Sequence, residues 1–321
     1  MKLQTRIPII KQSDNTICYH SNLLLMGSCF VENIGEKLSY FKFKNLQNPF
    51  GVLFNPNAIE TLVDKAINKI GYTENDVFFY NEQWHCFDAH SKLSNTSKEA
   101  LLKTLNKSVA ATRIQIETAT HVVITLGTAW VYRHKATENS VANCHKIPQK
   151  EFNKELLSVN EIAKSLIHIT SKIRHVNPNV QLIFTVSPVR HLKDGSIENT
   201  RSKAHLITAI HQIVNQTSLV KNSQLHYFPS YEIMMDELRD YRFYTEDMLH
   251  PNKTAINYIW EVFNTVWIND KSLPIMALVD TVQKGLLHKP FNPESRAHLK
   301  FLQNLEEKKQ QLQKQFAHIT F

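Results

Sequence analysis

Asn22-Leu23-Leu24-Leu25-Met26-Gly27-Ser28-Cys29-Phe30-Val31 is the stretch on which the fold turns. Its first half is a short, mostly apolar run that stops at a glycine. From Ser28 the period changes, and Phe30, Ile34, Leu38 and Phe41 recur at helical spacing. These residues predict a strand, a tight turn and a helix, in that order. Only 7 of 321 residues are glycine, so a glycine at this junction stands out as a turn signal.

Working outward, the same alternation repeats along the chain. Phe43 to Gln47 predicts a second strand that runs into the turn Asn48-Pro49-Phe50-Gly51, and Pro56 to Ile70 predicts a helix with proline in its first turn. Asp76 to His90 is aromatic-rich around Asn81-Glu82 and predicts an inserted β-hairpin. Ser97 to Thr118 predicts a long helix, and His121 to Leu126 a strand buried on both faces, ending in Gly127-Thr128-Ala129-Trp130. Ala136 to Lys150 reads as an irregular loop. Ser158 to Val176 predicts a helix, with Glu161 placed for a capping box. Val180 to Val186 predicts another buried strand, followed by Ser187-Pro188-Val189-Arg190-His191. A helix over Asn199 to Val220, a short strand over Leu225 to Phe228, and helices over Tyr231 to Arg239 and Pro251 to Trp267 complete the pattern.

Strands alternating with long helices imply βαβ units with right-handed crossovers. The expected fold class is therefore α/β: a three-layer α/β/α domain of flavodoxin-like type with a central parallel sheet. It is expected to span residues 1–270, with insertions at about 76–90 and 132–150. Residues 271–321 are expected to form a C-terminal helical extension, in which Leu302, Leu305 and Leu312 would pack on the main domain or on a second subunit.

Composition excludes several function classes. With 42% hydrophobic residues the chain can fill a sizeable core and is not disordered as a whole. The net charge of +8 is modest and scattered, with no basic stripe or aromatic-basic motif, so no nucleic-acid partner is expected. No apolar run is long enough for a membrane span or a secretory leader, so the expected location is the cytoplasm, with no membrane partner. Cys18, Cys29, Cys86 and Cys144 form no C-x-x-C pair. His85, Cys86, His90, Cys144 and His145 lack the close two-ligand spacing of a zinc site, so neither a metal nor a cofactor is expected.

In an open parallel sheet, ligands bind at the carboxyl ends of the strands. Ser28 sits at such an end and reads either as a plain helix N-cap or as an exposed nucleophile on a strand-to-helix elbow. Asp247-Met248-Leu249-His250 reads either as a helix-start acid beside an incidental histidine or as an acid–histidine pair in which the carboxylate fixes the imidazole tautomer. Cys29, one residue further into the helix, reads as a core cysteine rather than a thiolate nucleophile.

Gly27-Ser28-Cys29-Phe30 near the start, with Asp247-x-x-His250 near the end of the α/β region, resembles the SGNH hydrolase superfamily. More closely, the chain resembles the GSCFA-domain proteins, with Val31 in place of the final alanine of their Gly-Ser-Cys-Phe-Ala motif. That resemblance takes in Asn48-Pro49-Phe50-Gly51, Trp84-His85, Gly127-Thr128-Ala129-Trp130, Asn143-Cys144-His145-Lys146, Ser187 to His191 and Asp247 to Pro251. It implies Ser28 as nucleophile, His250 as general base and Asp247 as the acid that orients it. It implies an oxyanion hole drawn from Ser28 and Gly51 amides. The superfamily adds an asparagine two residues after the glycine of its third motif, a place held here by Ala129. Thr128, Asn48 and Asn143 are the candidate replacements. Trp84, His85, Trp130, Asn143, His145, Arg190 and His191 are the candidate substrate-binding residues. The expected activity is cleavage of an ester, an O-acyl group on a glycan or small molecule. Acyl transfer with the same triad and non-catalytic ligand binding on the same scaffold are the alternatives.

Overall fold

The computed structural model describes residues 5–218 and 224–321. Strand β1 (Asn22–Gly27) leads into helix α1 (Cys29–Tyr40), followed by β2 (Lys44–Gln47) and α2 (Pro56–Asn68). The inserted hairpin is β3 (Phe78–Tyr80) and β4 (Gln83–His85). Asn81 and Glu82 both adopt positive φ at its turn, which matches the twist of the strands it joins. Then come α3 (Lys98–Thr118), β5 (His121–Leu126), β6 (Trp130–His134), β7 (Ser140–Val141), β8 (Phe152–Leu156) and α4 (Val159–Val176). The chain continues through β9 (Gln181–Val186), α5 (Ser196–Ser218), β10 (Leu225–Phe228) and α6 (Ser230–Glu232), which runs on into a π turn over Ile233–Glu237. It ends with α7 (Lys253–Trp267), α8 (Leu273–Leu287) and α9 (Arg296–Gln315).

Five parallel strands form the central sheet in the order β10-β9-β5-β1-β2. This is the flavodoxin-like order, and its direction reverses between β1 and β5, where the carboxyl ends open a crevice. Alternate residues of each strand feed two cores. Leu24, Met26, Val122, Ile124, Leu126 and Phe184 pack beneath α2 to α5. Leu23, Leu25, Val123 and Ile183 pack beneath α1, α7, α8 and the buried face of α9. The fold is thus a three-layer α/β/α sandwich. Among the described residues, no helix is long and apolar enough to cross a membrane.

The helix starts carry local causes. Asn55 caps α2 by accepting from the Ala58 amide at 2.9 Å, with Pro56 in the first turn. Ser158 and Glu161 form a complete capping box on α4. Asn252 accepts from the Thr254 and Ala255 amides, so α7 begins two residues later than the sequence pattern suggests, and Pro251 instead bridges to Tyr244.

Three expectations are corrected. The region read as an irregular loop, Ala136 to Lys150, contains the short strand β7, which pairs with β6 just before it, and β6 in turn pairs with β8 just after it, forming the antiparallel sheet β7-β6-β8. Helix α5 starts at Ser196, ahead of Asn199; the end of that expected helix, Leu219 and Val220, lies outside the described residues. In α9, Leu305 and Leu312 are buried but Leu302 is 44% exposed. Phe301, four residues before Leu305, takes the inward place and lies against Gly285 of α8. The extension shares a core with the α/β sandwich, since Phe316 packs on Tyr19 with ring centroids 5.0 Å apart.

Candidate active site

The end of β1 is shaped by backbone crowding. Gly27 has φ +136°, and a Cβ there would lie 2.1 Å from the Thr125 carbonyl oxygen, so only glycine lets β1 and β5 approach this closely. The chain then turns so that Ser28 occupies the N-cap position of α1, yet its side chain makes no capping bond. The residue is 1% exposed, and its Oγ has no hydrogen-bond partner. A buried hydroxyl left unpaired is costly, and such groups call for a functional account. This geometry removes the plain N-cap reading of Ser28.

Asp247 and His250 form a tight local pair. Asp247 Oδ1 accepts from Thr245 Oγ1 at 2.7 Å and from the Leu249 and His250 amides at 2.8 and 3.0 Å. Its Oδ2 lies 2.6 Å from His250 Nδ1. These bonds, led by the His250 amide, hold the Asp247 carboxyl well below the usual range. Because a carboxylate only accepts, Nδ1 carries the proton and Nε2 presents a lone pair. His250 lies beside α1, facing a cavity shared with Asn33 and Lys37. The bond from Ser28 Oγ to His250 is not formed.

The donors expected for an oxyanion hole are engaged within the protein. The Ser28 amide donates to the Thr125 carbonyl at 2.9 Å because the β1–β5 ladder extends one residue past the strand. The Gly51 amide donates to the Asn48 carbonyl at 2.7 Å, closing its turn. Asn48 Oδ1 accepts from the Gly27 amide at 2.9 Å, while its Nδ2 donates to Glu32 at 3.4 Å. Thr128 Oγ1 lies 3.0 Å from Ser202 Oγ and accepts from the Trp130 amide. The Ala129 amide, where the superfamily resemblance would place asparagine, donates to Ser202 Oγ at 2.7 Å.

Helix α5 supplies a group that the sequence reading missed. Lys203 is 1% exposed, and its Nζ donates to the carbonyls of Gly127 at 2.7 Å and Ser187 at 2.8 Å, at the ends of β5 and β9. No carboxylate partners it among the described residues. Burial pushes its ammonium down to about 7. A lysine at a core position of an otherwise amphipathic helix was the available signal, but two carbonyls from other strands decide its role. Cys29 lies near this charge, yet burial and then Glu32 push its thiol up, against activation as a nucleophile.

The substrate-binding candidates divide into groups. Trp84 and His85 belong to the hairpin. Trp84 packs at a tilt against Phe79 under Lys98, and both His85 ring nitrogens are engaged, by Ser94 Oγ and the Tyr80 carbonyl. Trp130, Asn143 and His145 line one cavity of about 520 Å³. Within it, Asn143 accepts from the His145 amide, and burial pushes His145 down to about 4. His191 lies beside Gly127 and Phe54 with its Nε2 buried and unpartnered. Burial and then the Lys203 charge push it down to about 4, so its ring is neutral at pH 7. Arg190 faces a different cavity, next to Asp247. Among the described residues, no group of three or more His, Cys, Asp and Glu is placed to hold a metal ion.

Residues 22–263 match the GSCFA family. This chain is a GSCFA protein. Residues 279–321 match the C-terminal domain of GSCFA domain proteins, which here takes in most of α8 and all of α9. No curated protein matches the chain. Among solved structures the GSCFA chain is similar to an acetyl xylan esterase, Est2A, from the rumen bacterium Butyrivibrio proteoclasticus. The identity is 10% and the TM-score 0.36, with 88% of this chain and 66% of that chain covered.

Proposed function

We propose that this GSCFA protein is a serine hydrolase of the SGNH type that cleaves an O-acyl ester of a glycan or small molecule. One observation carries the reading: Ser28 Oγ is buried, unpartnered and not capping, at the carboxyl end of the first strand. A preformed Asp247–His250 pair on the loop before α7 supports it. In this reading substrate entry brings His250 Nε2 onto Ser28 Oγ, a bond that tightens only in the reacting complex. The oxygen attacks the acyl carbon as its proton passes to Nε2, and Asp247 stabilises the imidazolium. That proton then leaves with the alcohol, and water, deprotonated by the same nitrogen, releases the acid and restores Ser28. An acceptor alcohol in place of that water would make the same residues an acyltransferase. With the expected amide donors engaged, the Lys203 ammonium and the positive end of α1 supply the favourable field for the carbonyl oxygen as it gains charge.

The test is reaction with a fluorophosphonate followed by peptide mass spectrometry, alongside turnover of short-chain aryl esters. An adduct on Ser28, lost in His250→Ala, is expected. Ser28→Ala should abolish turnover, and His250→Ala should cost nearly as much because the two act as a unit. Asp247→Asn should cost less, and Cys29→Ser should retain activity. Absence of any adduct at Ser28 would leave the scaffold as a binding protein. Turnover lost in Cys29→Ser but kept in Ser28→Ala would replace the mechanism with a thiol one.

A further inference from the structure

Beside the Asp247 loop lies a cavity of about 520 Å³ between the β9 end, the π turn and the segment before α7. Its walls are mixed: Met234, Met235, Leu238 and Met248 form an apolar side, beside polar and charged residues. Most of its charged side chains are engaged within the protein. Arg239 pairs with Asp236 at 3.1 Å and Asp240 with Arg242 at 3.3 Å, while the Asp247 carboxylate accepts from Thr245, two backbone amides and His250. Arg190 is the exception. It has no carboxylate partner among the described residues, and its Nη2 rests 2.9 Å from the Met235 sulfur, a weak acceptor. Behind it, the buried Lys203 also lacks a counter-ion, and the two like charges oppose each other. Arg190 is thus a half-buried guanidinium that no carboxylate of the described residues pairs, and the Lys203 charge adds to its need for an anion.

We propose that this cavity binds a carboxylate-terminated apolar chain, its carboxylate on the Arg190 guanidinium and its methylenes against the methionines. A single planar fork matches a carboxylate in two parallel bonds. Methionine walls adapt to a flexible aliphatic chain. The cavity adjoins Asp247, so the bound chain is the acyl part of the substrate, which is then the half-ester of a dicarboxylic acid. That last identification rests on the ester-hydrolase reading; the binding of the charged chain does not.

The experiment is calorimetric titration of the Ser28→Ala protein with monomethyl adipate and with its neutral terminal amide of equal length. The carboxylate is expected to bind about 10-fold or more tightly than the amide, the worth of one charge-assisted pair. Arg190→Gln should erase that difference, and Arg190→Lys should restore part of it. Equal affinity of the two ligands would overturn the proposal without reference to any variant, as would a preference that survives in Arg190→Gln. In a parallel arm, wild-type protein is given mono-aryl adipate and aryl hexanoate. Faster turnover of the charged ester supports the acyl assignment. Charge-selective binding with neither ester hydrolysed keeps the cavity and sinks the hydrolase reading. Equal turnover of the two esters overturns the acyl assignment.

Discussion

Replacing Ser28 by alanine should make the protein more stable, and the sign of that change separates two roles for the residue. A serine that caps a helix loses about 0.5–2 kcal/mol when cut back to alanine, because a backbone amide loses its acceptor. Here no amide is bonded to Ser28 Oγ, so there is nothing of that kind to lose. The hydroxyl is buried without a partner, and such a group costs roughly 1–3 kcal/mol in the folded state. Removing it leaves a cavity of about one oxygen atom, a small offset. A gain of about 1 kcal/mol is expected, seen as a higher urea midpoint at unchanged m-value and as a melting temperature raised by about 1–3 °C for a chain this long. The assay is urea and thermal unfolding of both proteins at pH 7, in the same buffer. A loss of about 1 kcal/mol would show that the hydroxyl caps α1 in solution, and the argument for a nucleophile held ready would fail. A protein that becomes more stable as it loses turnover would show stability given up for a reactive group.

Lys203→Met should destabilise by about 1–3 kcal/mol for each carbonyl left unpaired, at Gly127 and Ser187. Because the Lys203 pKa is lowered to about 7 in the folded protein, the folded state releases its proton before the unfolded chain does, so wild-type stability rises from about pH 7 upward. The gap between wild type and variant in urea unfolding should therefore widen from pH 6 to pH 9, and a constant gap would refute the depressed titration. Removing residues 293–321 should lower the melting temperature, because Leu305, Leu312, Phe316 and Ile319 are buried against the α1 and α7 side of the sandwich. Each such side chain contributes about 1.5–3 kcal/mol when buried. A truncated protein that melts unchanged would mark the last helix as an appendage.

Much of the fold is legible in the residues because its causes are local. The apolar runs at Leu23–Met26, Val122–Leu126 and Leu182–Val186 are strands buried on both faces, and such strands suit parallel pairing. Ser158 with Glu161 and Asn81 with Glu82 mark a cap and a hairpin turn through contacts made within a few residues. Asp247 and His250 likewise find each other within one turn of chain. The short strands β6, β7 and β8 are stabilised by one another rather than by a periodicity of their own, so β7 reads as loop and the two strands flanking it are not picked out. Leu302 and Phe301 are adjacent and both apolar, and only the position of α8 selects which one turns inward. The site was decided by partners far apart in the chain. Whether Ser28 is a cap or a free hydroxyl, whether the Ser28 and Asn48 donors are open or engaged, and whether Lys203 is a surface or a buried cation all depend on Thr125, Gly27, Gly127 and Ser187. A hydrogen bond is specified by where two groups meet, and residue order alone does not fix that meeting until the sheet has closed.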